Sequence, residues 1–288
     1  MEKRYLDKPL DKYPAAWKNT PADDKLGKAY DAAMNERSKP PEELSKRYGS
    51  LYGAILHAVK YRGDVAAVMS RLGSCLSICT EELYECLLRV LVYLVHTKNI
   101  GPTYSLHAHD AMKLKAYADS DWSVSRSTTG FVIMLAGASI SHVSRRQHCV
   151  TMSSTEAELV ALADCAIELL YVMRVLEFIG YEIEGPIEVY TDNKGAHDLC
   201  HHYSAAQHSR HIDRKLFKMR ELRGAEIVDV RHVAGTENPA DVFTKVLSPQ
   251  VFHKHRKTVM NLHGNEQRDD VSMKDGRLTA DVNHEEKP

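Results

Sequence analysis

Four acidic residues of this 288-residue chain stand where predicted strands or helices begin or end. They are Asp119 and Asp192, each at the end of a predicted strand, Glu158 in the first turn of a long predicted helix, and Asp241 in the first turn of a short one. Functional sites of open α/β sheets gather beyond the carboxyl ends of strands. Carboxylates that meet there repel one another and raise one another's pKa unless a cation lies between them. These positions therefore define a candidate cation site.

The chemistry of such a site follows from its ligands. Carboxylate oxygens without His or Cys suit Mg²⁺ or Mn²⁺ rather than zinc. Two such ions about 4 Å apart activate a water molecule and stabilise the leaving oxygen of a phosphodiester. Acidic residues at the ends of elements also serve as caps and solvated turns. Spacing alone leaves both interpretations open.

The helix that carries Glu158 has a clear start in the sequence. Ser153 and Glu156 have the Ser-x-x-Glu spacing of a capping box, in which each side chain satisfies a backbone N–H at a helix start. Apolar residues then recur at helical spacing until Gly180, which predicts a helix over 153–179. Because the cap occupies Glu156, Glu158 remains as an acidic side chain beside the apolar stripe. Interaction with the helix dipole explains such a residue, and so does metal binding.

Strand and helix patterns alternate around this long helix. The predicted strands cover 113–119, 131–135, 139–144, 187–191 and 227–233, and the other predicted helices of this region cover 193–200, 208–222 and 238–245. Three strands in a meander, followed by a helix and two strand–helix units, predict a mixed sheet with helices on its faces. This pattern is typical of an α/β three-layer domain.

Composition and periodicity divide the chain into four parts. Residues 1–43 are rich in Lys, Asp, Glu and Pro, and we expect them to be loosely ordered. Residues 44–110 carry three helical stripes and predict a small helical unit without catalytic spacing. Residues 111–262 hold the α/β domain. The polar, charged residues 263–288 are expected to form a disordered tail.

Composition also restricts the functional class. The formal net charge is −1 at pH 7, so a nucleic-acid surface must be a local patch. Six cysteines without framework spacing indicate reduced thiols, and Cys75-x3-Cys79 has no second pair with which to bind zinc. The chain starts without the apolar region of a signal peptide, and no apolar run reaches membrane-spanning length. We therefore expect a soluble, intracellular protein of the cytoplasm, the nucleus or both.

The four acidic residues lie within motifs that resemble a known family. Six segments resemble, in the same order, the ribonuclease H domain of copia-type LTR retrotransposon polyproteins: Tyr117-Ala-Asp-Ser-Asp-Trp122, Arg126-Ser-Thr-Thr-Gly-Phe131, Ser153-Ser-Thr-Glu-Ala-Glu158, Tyr190-Thr-Asp-Asn193, His208-Ser-Arg-His-Ile-Asp213 and Asn238-Pro-Ala-Asp-Val-Phe-Thr-Lys245. The resemblance covers residues 113–247. Upstream, Tyr48-Gly-Ser-Leu-Tyr-Gly-Ala-Ile-Leu56 and the segment 89–98 resemble the thumb-side end of the same polyprotein's reverse transcriptase. The sequence has no Tyr-x-Asp-Asp polymerase motif, so we do not expect it to copy DNA.

The resemblance implies a fold, an activity and a site. The fold is ribonuclease H-like, with a five-stranded mixed sheet flanked by helices and preceded by the small helical unit. The activity is metal-dependent endonucleolytic hydrolysis of the RNA strand of RNA–DNA hybrids, with two Mg²⁺ or Mn²⁺ ions. The catalytic and metal-binding residues that it implies are Asp119, Glu158, Asp192 and Asp241. Asp121 is the rival of Asp119, which the Tyr-Ala-Asp context favours.

The implied partners are the hybrid and the rest of a retroelement polyprotein, with no membrane. Recognition of the hybrid is expected to depend on its shape and its 2′-hydroxyls. Candidate contacts to the phosphate backbone are Arg145, Arg146, Arg210, Arg214, Lys215 and Lys218. The cluster 253–257 is a further basic segment that can hold phosphates. A solvated charged face is the alternative for any one of these side chains.

Other interpretations stay open. A retroelement remnant that binds nucleic acid without cleaving it is favoured by the missing polymerase motif and the charged tail. A DNA-strand transferase or resolvase of related fold fits the motifs poorly. His232 stands where many cellular ribonucleases H carry a loop histidine for product release, although the end of a strand also explains it. The residues His197, Cys200, His201 and His202 include metal-ligand types, but a solvated helix end is the simpler interpretation.

Overall fold

A five-stranded mixed sheet organises the chain after residue 113. In this computed structural model, which describes residues 19–105, 113–202 and 210–262, the strands are β1 (Lys115–Asp121), β2 (Thr128–Leu135), β3 (Ala138–Arg146), β4 (Ile187–Thr191) and β5 (Val228–His232). The order across the sheet is β3-β2-β1-β4-β5. Strands β1, β2 and β3 are antiparallel, whereas β1, β4 and β5 are parallel. Because β1 and β4 are parallel neighbours, their carboxyl ends meet at one edge of the sheet.

Eight α-helices accompany the sheet in the described residues. They are α1 (Asp24–Glu36), α2 (Glu42–Val59), α3 (Ala66–Gly73), α4 (Glu81–His96), α5 (Ser154–Phe178), α6 (Lys194–His201), α7 (Arg210–Gly224) and α8 (Pro249–Met260). Short 3₁₀ helices lie at 63–65, 235–237 and 239–243. The five-stranded mixed sheet and its order confirm the α/β ribonuclease H-like fold class that the sequence predicts.

Helix α5 packs between the sheet and α7. Its N-terminal half is buried nearly all round, including Ala157, Leu159, Leu162 and Cys165, because it contacts the sheet on one side and α7 on the other. The predicted capping box begins the helix: the Ser153 hydroxyl accepts from the backbone N–H of Glu156 at 3.2 Å. The Glu156 carboxylate accepts from the N–H of Met152 at 2.8 Å, one residue earlier than the usual partner.

The helical unit covers the opposite face of the sheet. Helices α1 to α4 share one buried core with Val132 of β2, with Val242 and Phe243 of a 3₁₀ helix, and with Phe252 and Val259 of α8. His142 of β3 reaches across this contact, where Nε2 lies 2.8 Å from the carbonyl oxygen of Val59. The helical unit and the α/β domain therefore share a single core on this face. The predicted boundary between them, at residue 110, falls outside the described residues.

The structure contains two helices, one near each terminus, that the sequence analysis did not predict. The segment 1–43, expected to be loosely ordered, contains α1, which buries Leu26 and Ala33. Asp23 caps α1 and also receives Arg89 of α4 at 2.5 Å, so ion pairing and burial hold a segment whose composition is polar. The sequence analysis also missed α8, since its apolar positions are separated by a basic run.

Boundaries elsewhere differ by a few residues. Strand β1 continues to Asp121 and β2 begins at Thr128, so the connection between them is shorter than the predicted strands 113–119 and 131–135 imply. The short helix predicted at 238–245 is a 3₁₀ helix over 239–243. The predicted tail 263–288 lies outside the described residues. No helix within the described ranges is long and apolar enough to cross a membrane.

Candidate metal centre

Three carboxylates converge at the sheet edge where β1 and β4 end. Asp119 near the end of β1, Glu158 in α5 and Asp192 directly after β4 each offer an oxygen, and these oxygens lie within 4.8 Å of one another. The parallel pairing of β1 with β4 brings the two aspartates together, and packing of α5 on β1 adds the glutamate. This is the only such group among the described residues.

Glu158 is held in place by hydrogen bonds to both strands. Oε1 accepts from the backbone N–H of Ser120 at 2.9 Å and from its hydroxyl at 3.0 Å, and Oε2 accepts from the hydroxyl of Thr191 at 3.2 Å. The side chain is nevertheless buried beside two other carboxylates. Burial first, and then the charges of Asp119 and Asp192, raise the pKa of Glu158 to about 8. A cation placed among these oxygens would offset the repulsion between the carboxylates.

Asp119 is buried against the 3₁₀ helix at 239–243. Its Oδ2 accepts from the hydroxyl of Thr244 and lies 3.6 Å from Nζ of Lys245. Burial raises the pKa of the Asp119 carboxyl, against the opposing effect of the Lys245 ammonium. The close approach of the 3₁₀ helix depends on Gly130, which pairs with Asp119 across the sheet, since a Cβ there would lie 2.5 Å from Cγ2 of Thr244.

Asp192 is the most exposed of the three carboxylates. Burial raises its pKa, and the charge of Asp119 adds to the shift, whereas Lys245 and the side chain of Asn238 oppose it. Gly235 lies against it, where a Cβ would be 3.0 Å from Oδ2. His232 contributes Nε2, which lies 3.1 Å from the backbone oxygen of Asp192.

The fourth predicted carboxylate, Asp241, lies beside this group rather than within it. Its Oδ1 is 2.8 Å from Nζ of Lys245, the same ammonium that faces Asp119. Burial lowers the pKa of Lys245, but the charges of Asp119 and Asp241 outweigh that effect and raise it. Asn238 fixes the segment by donating from Nδ2 to the backbone oxygen of Ala118 at 3.0 Å. Lys245 therefore holds Asp241 next to the three-carboxylate group.

Asp121, the alternative to Asp119 as the β1 ligand, forms an ion pair with the helical unit. Its Oδ2 accepts from Nη2 of Arg71 in the helical unit at 3.2 Å. It does not belong to the group whose oxygens lie within 4.8 Å. The geometry favours Asp119 as the β1 ligand.

The predicted phosphate contacts differ in whether their side chains form ion pairs. Arg145 of β3 and Lys215 of α7 both pair with Asp164 of α5, Arg145 at 2.9 Å, and Lys218 pairs with Glu221 at 3.3 Å. Arg214 is exposed, and Arg146 is partly exposed at the end of β3. The side chain of Arg210 lies outside the described part of the chain.

The basic cluster at 253–257 is largely structural. It belongs to α8, where His255 and Arg256 are buried, so the expectation of a phosphate-binding segment is wrong for these two residues. Arg256 donates to the hydroxyl of Tyr93 in the helical unit, and α8 packs against the 3₁₀ helix at 239–243 and against β3. His197 and His201 stack with ring centroids 4.2 Å apart at the end of α6, and neither is part of a metal-capable group among the described residues. The cysteines 75 and 79 are buried free thiols.

Four residues of the site were not singled out by the sequence analysis. Ser120 and Thr191 bind Glu158, and Thr244 and Lys245 face Asp119. All four lie inside or next to the quoted motifs, so their proximity to the acidic residues was available as a signal. Their roles depend on which strands and turns meet in space.

The chain is similar to curated proteins of retroelement origin. It is 31% identical over 209 residues to the retrovirus-related Pol polyprotein from transposon RE1 of Arabidopsis thaliana, a match that covers 71% of this chain and 14% of the relative. It is 30% identical over 223 residues to the corresponding polyprotein from transposon TNT 1-94 of Nicotiana tabacum, covering 76% of this chain and 16% of the relative. The chain thus spans about one seventh of the length of these relatives.

Solved structures give a weaker similarity. The N-terminal RNase H domain of rv2228c from Mycobacterium tuberculosis aligns with a TM-score of 0.37 and 12% sequence identity, covering 51% of this chain and 97% of that chain. No protein-family model matches the sequence.

Proposed function

Because this chain is homologous to a part of the Pol polyproteins of copia-type retrotransposons, we propose that it is a metal-dependent endonuclease that hydrolyses the RNA strand of RNA–DNA hybrids. The observation that carries the proposal is the convergence of Asp119, Glu158 and Asp192 at one edge of the sheet. Three like charges at this distance, two of them buried, are costly without a cation. A site that retains them is one that uses them to bind a metal ion.

The residues present fit Mg²⁺ or Mn²⁺. All the ligands are carboxylate oxygens, which is the donor set that these ions prefer. Bound ions, of which we propose two, supply an activated water and stabilise the leaving oxygen of the phosphodiester. We assign Asp119, Glu158 and Asp192 as ligands and Asp241 as the residue that completes the set.

The protein's own contribution is to fix the positions of these oxygens by hydrogen bonds. Ser120 and Thr191 fix both oxygens of Glu158, so the carboxylate does not turn away when its neighbours are charged. The Thr244 hydroxyl orients Asp119 in the same way. Hydrogen bonds that position ligands in this manner typically tune metal affinity by about 10- to 100-fold.

The substrate assignment depends on the family and on charge placement. Arg145 and Lys215 share Asp164, which fixes one cation of β3 beside one of α7 on the same side of α5. We propose that these two residues, with Arg146, Arg210, Arg214 and Lys218, contact the phosphate backbone of the hybrid. We also propose that the protein works inside the cell as part of a longer polyprotein.

Cleavage of a labelled RNA–DNA hybrid with Mg²⁺ or Mn²⁺ tests the activity. We expect the parent chain to cleave the RNA strand and Asp192→Asn to be inactive. Asp229→Asn is the matched control, since Asp229 pairs with Arg231 on the exposed surface of β5 and lies outside the carboxylate group. Equal cleavage by Asp192→Asn and the parent contradicts the metal-site assignment. Cleavage of duplex DNA as fast as the hybrid contradicts the substrate class.

A remnant that binds nucleic acid without cleaving it is the second candidate function. The observation that favours it is Lys245, whose ammonium neutralises Asp119 and Asp241 without a metal. Calorimetric titration with Mg²⁺ separates the two. For the nuclease we expect Mg²⁺ binding that is lost in Asp192→Asn. For an inactive remnant we expect no Mg²⁺ binding that depends on Asp192.

A further inference from the structure

A polar cleft separates the helical unit from the strands next to the metal centre. It encloses about 290 Å³ and is lined on one side by α1 and α3 and on the other by the β1–β2 connection and the ends of β2 and β3. Thr244 lines it as well, and the hydroxyl of this residue donates to Asp119. The cleft therefore begins one side chain away from the carboxylate group.

Three arginines from different parts of the chain face this cleft. Arg71 comes from α3, Arg126 from the β1–β2 connection and Arg146 from the end of β3. Arg71 is matched by Asp121 at 3.2 Å, and its guanidinium lies 5.7 Å from the centre of the Tyr30 ring. Within the described ranges neither Arg126 nor Arg146 forms an ion pair. Two uncompensated guanidinium groups thus converge on one opening.

Hydroxyl groups complete the lining. Ser70 and Ser74 face the cleft from the helical unit, and Ser123, Ser125 and Thr128 face it from the sheet side. Guanidinium forks and hydroxyls are the donors that phosphate oxygens prefer. Asp31 is the only acidic lining residue besides the paired Asp121, and it is exposed. The lining is therefore suited to an anion of tetrahedral oxygens.

We propose that this arginine cleft binds a backbone phosphate of the nucleic-acid substrate beside the scissile bond, so that the helical unit is part of the substrate-binding surface. The inference rests on the proposed function, because it takes the hybrid as the ligand. A polynucleotide is favoured over a small phosphorylated molecule because only the Thr244 side chain lies between the cleft and Asp119 of the carboxylate group. A chain of phosphates can occupy both places at once.

Binding of a labelled RNA–DNA hybrid to the full chain, measured by fluorescence anisotropy in EDTA, tests the cleft without cleavage. Replacing one phosphate-binding arginine removes a charge-assisted hydrogen bond, so we expect Arg126→Gln and Arg146→Gln each to raise the Kd about tenfold. The slope of log K against log salt is expected to fall by about 1 in each variant. Arg174→Gln is the matched control, since Arg174 is exposed on α5 away from the cleft.

A second pair of variants, made in the full chain, tests whether the helical unit takes part in substrate binding. Ser70→Glu places a negative charge at the α3 side of the cleft, and Ser70→Gln has the same size without the charge. We expect the Glu variant to bind the hybrid about tenfold more weakly than the Gln variant. Thermal unfolding of both variants checks that they fold alike. Equal affinities of the Glu and Gln variants would overturn the participation of the helical unit.

The outcomes separate this inference from the proposed activity. A parent that cleaves the hybrid, with arginine variants that bind as the parent does, overturns the cleft and leaves the nuclease. A parent that binds through Arg126 and Arg146 without cleaving supports the cleft and contradicts the nuclease. A parent that neither binds nor cleaves the hybrid overturns both.

Discussion

Two buried acidic sites in this protein are built on opposite principles. In the helical unit, Asp64 is 2% exposed and receives Arg62 at 2.8 Å together with the hydroxyl of Tyr93. At the edge of the sheet, Asp119 is also 2% exposed, but its neighbours include two further carboxylates. The first site matches each charge with a partner of the chain. The second gathers like charges, and we propose that a cation from solution compensates part of them.

The difference separates a structural site from a candidate functional one. The Arg62 guanidinium also donates to the backbone oxygen of Thr97, and Tyr93 receives Arg256 of α8 at 3.2 Å, so this network joins the helical unit to the C-terminal helix. Its central ion pair, Arg62 with Asp64, is matched from within the chain. The carboxylates at the sheet edge instead have raised pKa values, which in a cleft beside a sheet edge are typical of functional groups.

The largest expected effect distinguishes the two sites by activity. Asp192→Asn removes a proposed metal ligand, and loss of several kcal/mol of transition-state stabilisation corresponds to a rate about a thousandfold lower. The same change relieves repulsion, so the free energy of unfolding without metal is expected to stay equal or rise. Single-turnover cleavage and urea denaturation measure the two quantities. A strong loss of stability in this variant would mean that the site is structural.

The opposite result, a loss of stability without a loss of activity, is expected for the network of Arg62, Asp64 and Tyr93. Asp64→Asn leaves the buried Arg62 without its counter-charge, which typically costs about 3–5 kcal/mol of folding free energy. Cleavage per folded molecule is expected to remain within about twofold, because the network does not touch the carboxylate group. Urea denaturation gives the stability. The double variant Arg62→Met/Asp64→Leu removes both charges and is expected to recover most of it.

The pH dependence of stability sharpens the contrast further. The pKa of Glu158 is raised from 4.5 to about 8, so between these pH values the folded chain binds more protons than the unfolded chain. Stability from this group is therefore present at low pH and is lost as pH rises through the window, by on the order of a few kcal/mol without metal. Glu158→Gln is expected to flatten this part of the profile. Subtracting the variant from the parent isolates Glu158 from partly buried histidines such as His142, whose pKa is lowered by burial and whose contribution has the opposite sign.

The smallest expected effect concerns the ammonium group of Lys245. Lys245→Gln removes the ammonium that neutralises Asp119 and Asp241, so a metal ion no longer competes with it. We expect Mg²⁺ to bind up to about tenfold more tightly and the metal-free chain to be slightly less stable. Calorimetric titration measures the affinity. Weaker Mg²⁺ binding in this variant would show that Lys245 supports the ligand set rather than competes with it.

Local chemistry made much of the α/β domain predictable. The capping pair Ser153 and Glu156 fixed the start of α5, and alternating or fully apolar runs located all five strands to within a few residues. The acidic residues at element ends indicated the candidate site from their positions along the chain. In contrast, α8 was missed because buried His255 and Arg256 look like solvated cations in the sequence. Their burial depends on elements far away in the sequence, such as β3, the 3₁₀ helix at 239–243 and, for Arg256, Tyr93 of the helical unit.

What the sequence determined by itself is the set of elements and the acidic residues at their ends, because caps, periodicity and turns depend on neighbours along the chain. What only the tertiary structure decided is which of those residues meet. In the folded chain Asp119 belongs to the carboxylate group and Asp121 does not, because Asp121 pairs with Arg71. Lys245 lies between Asp119 and Asp241. The tertiary structure also joined Arg71, Arg126 and Arg146 around one cleft. Contacts between residues far apart in sequence depend on strand order and packing, which local patterns do not encode.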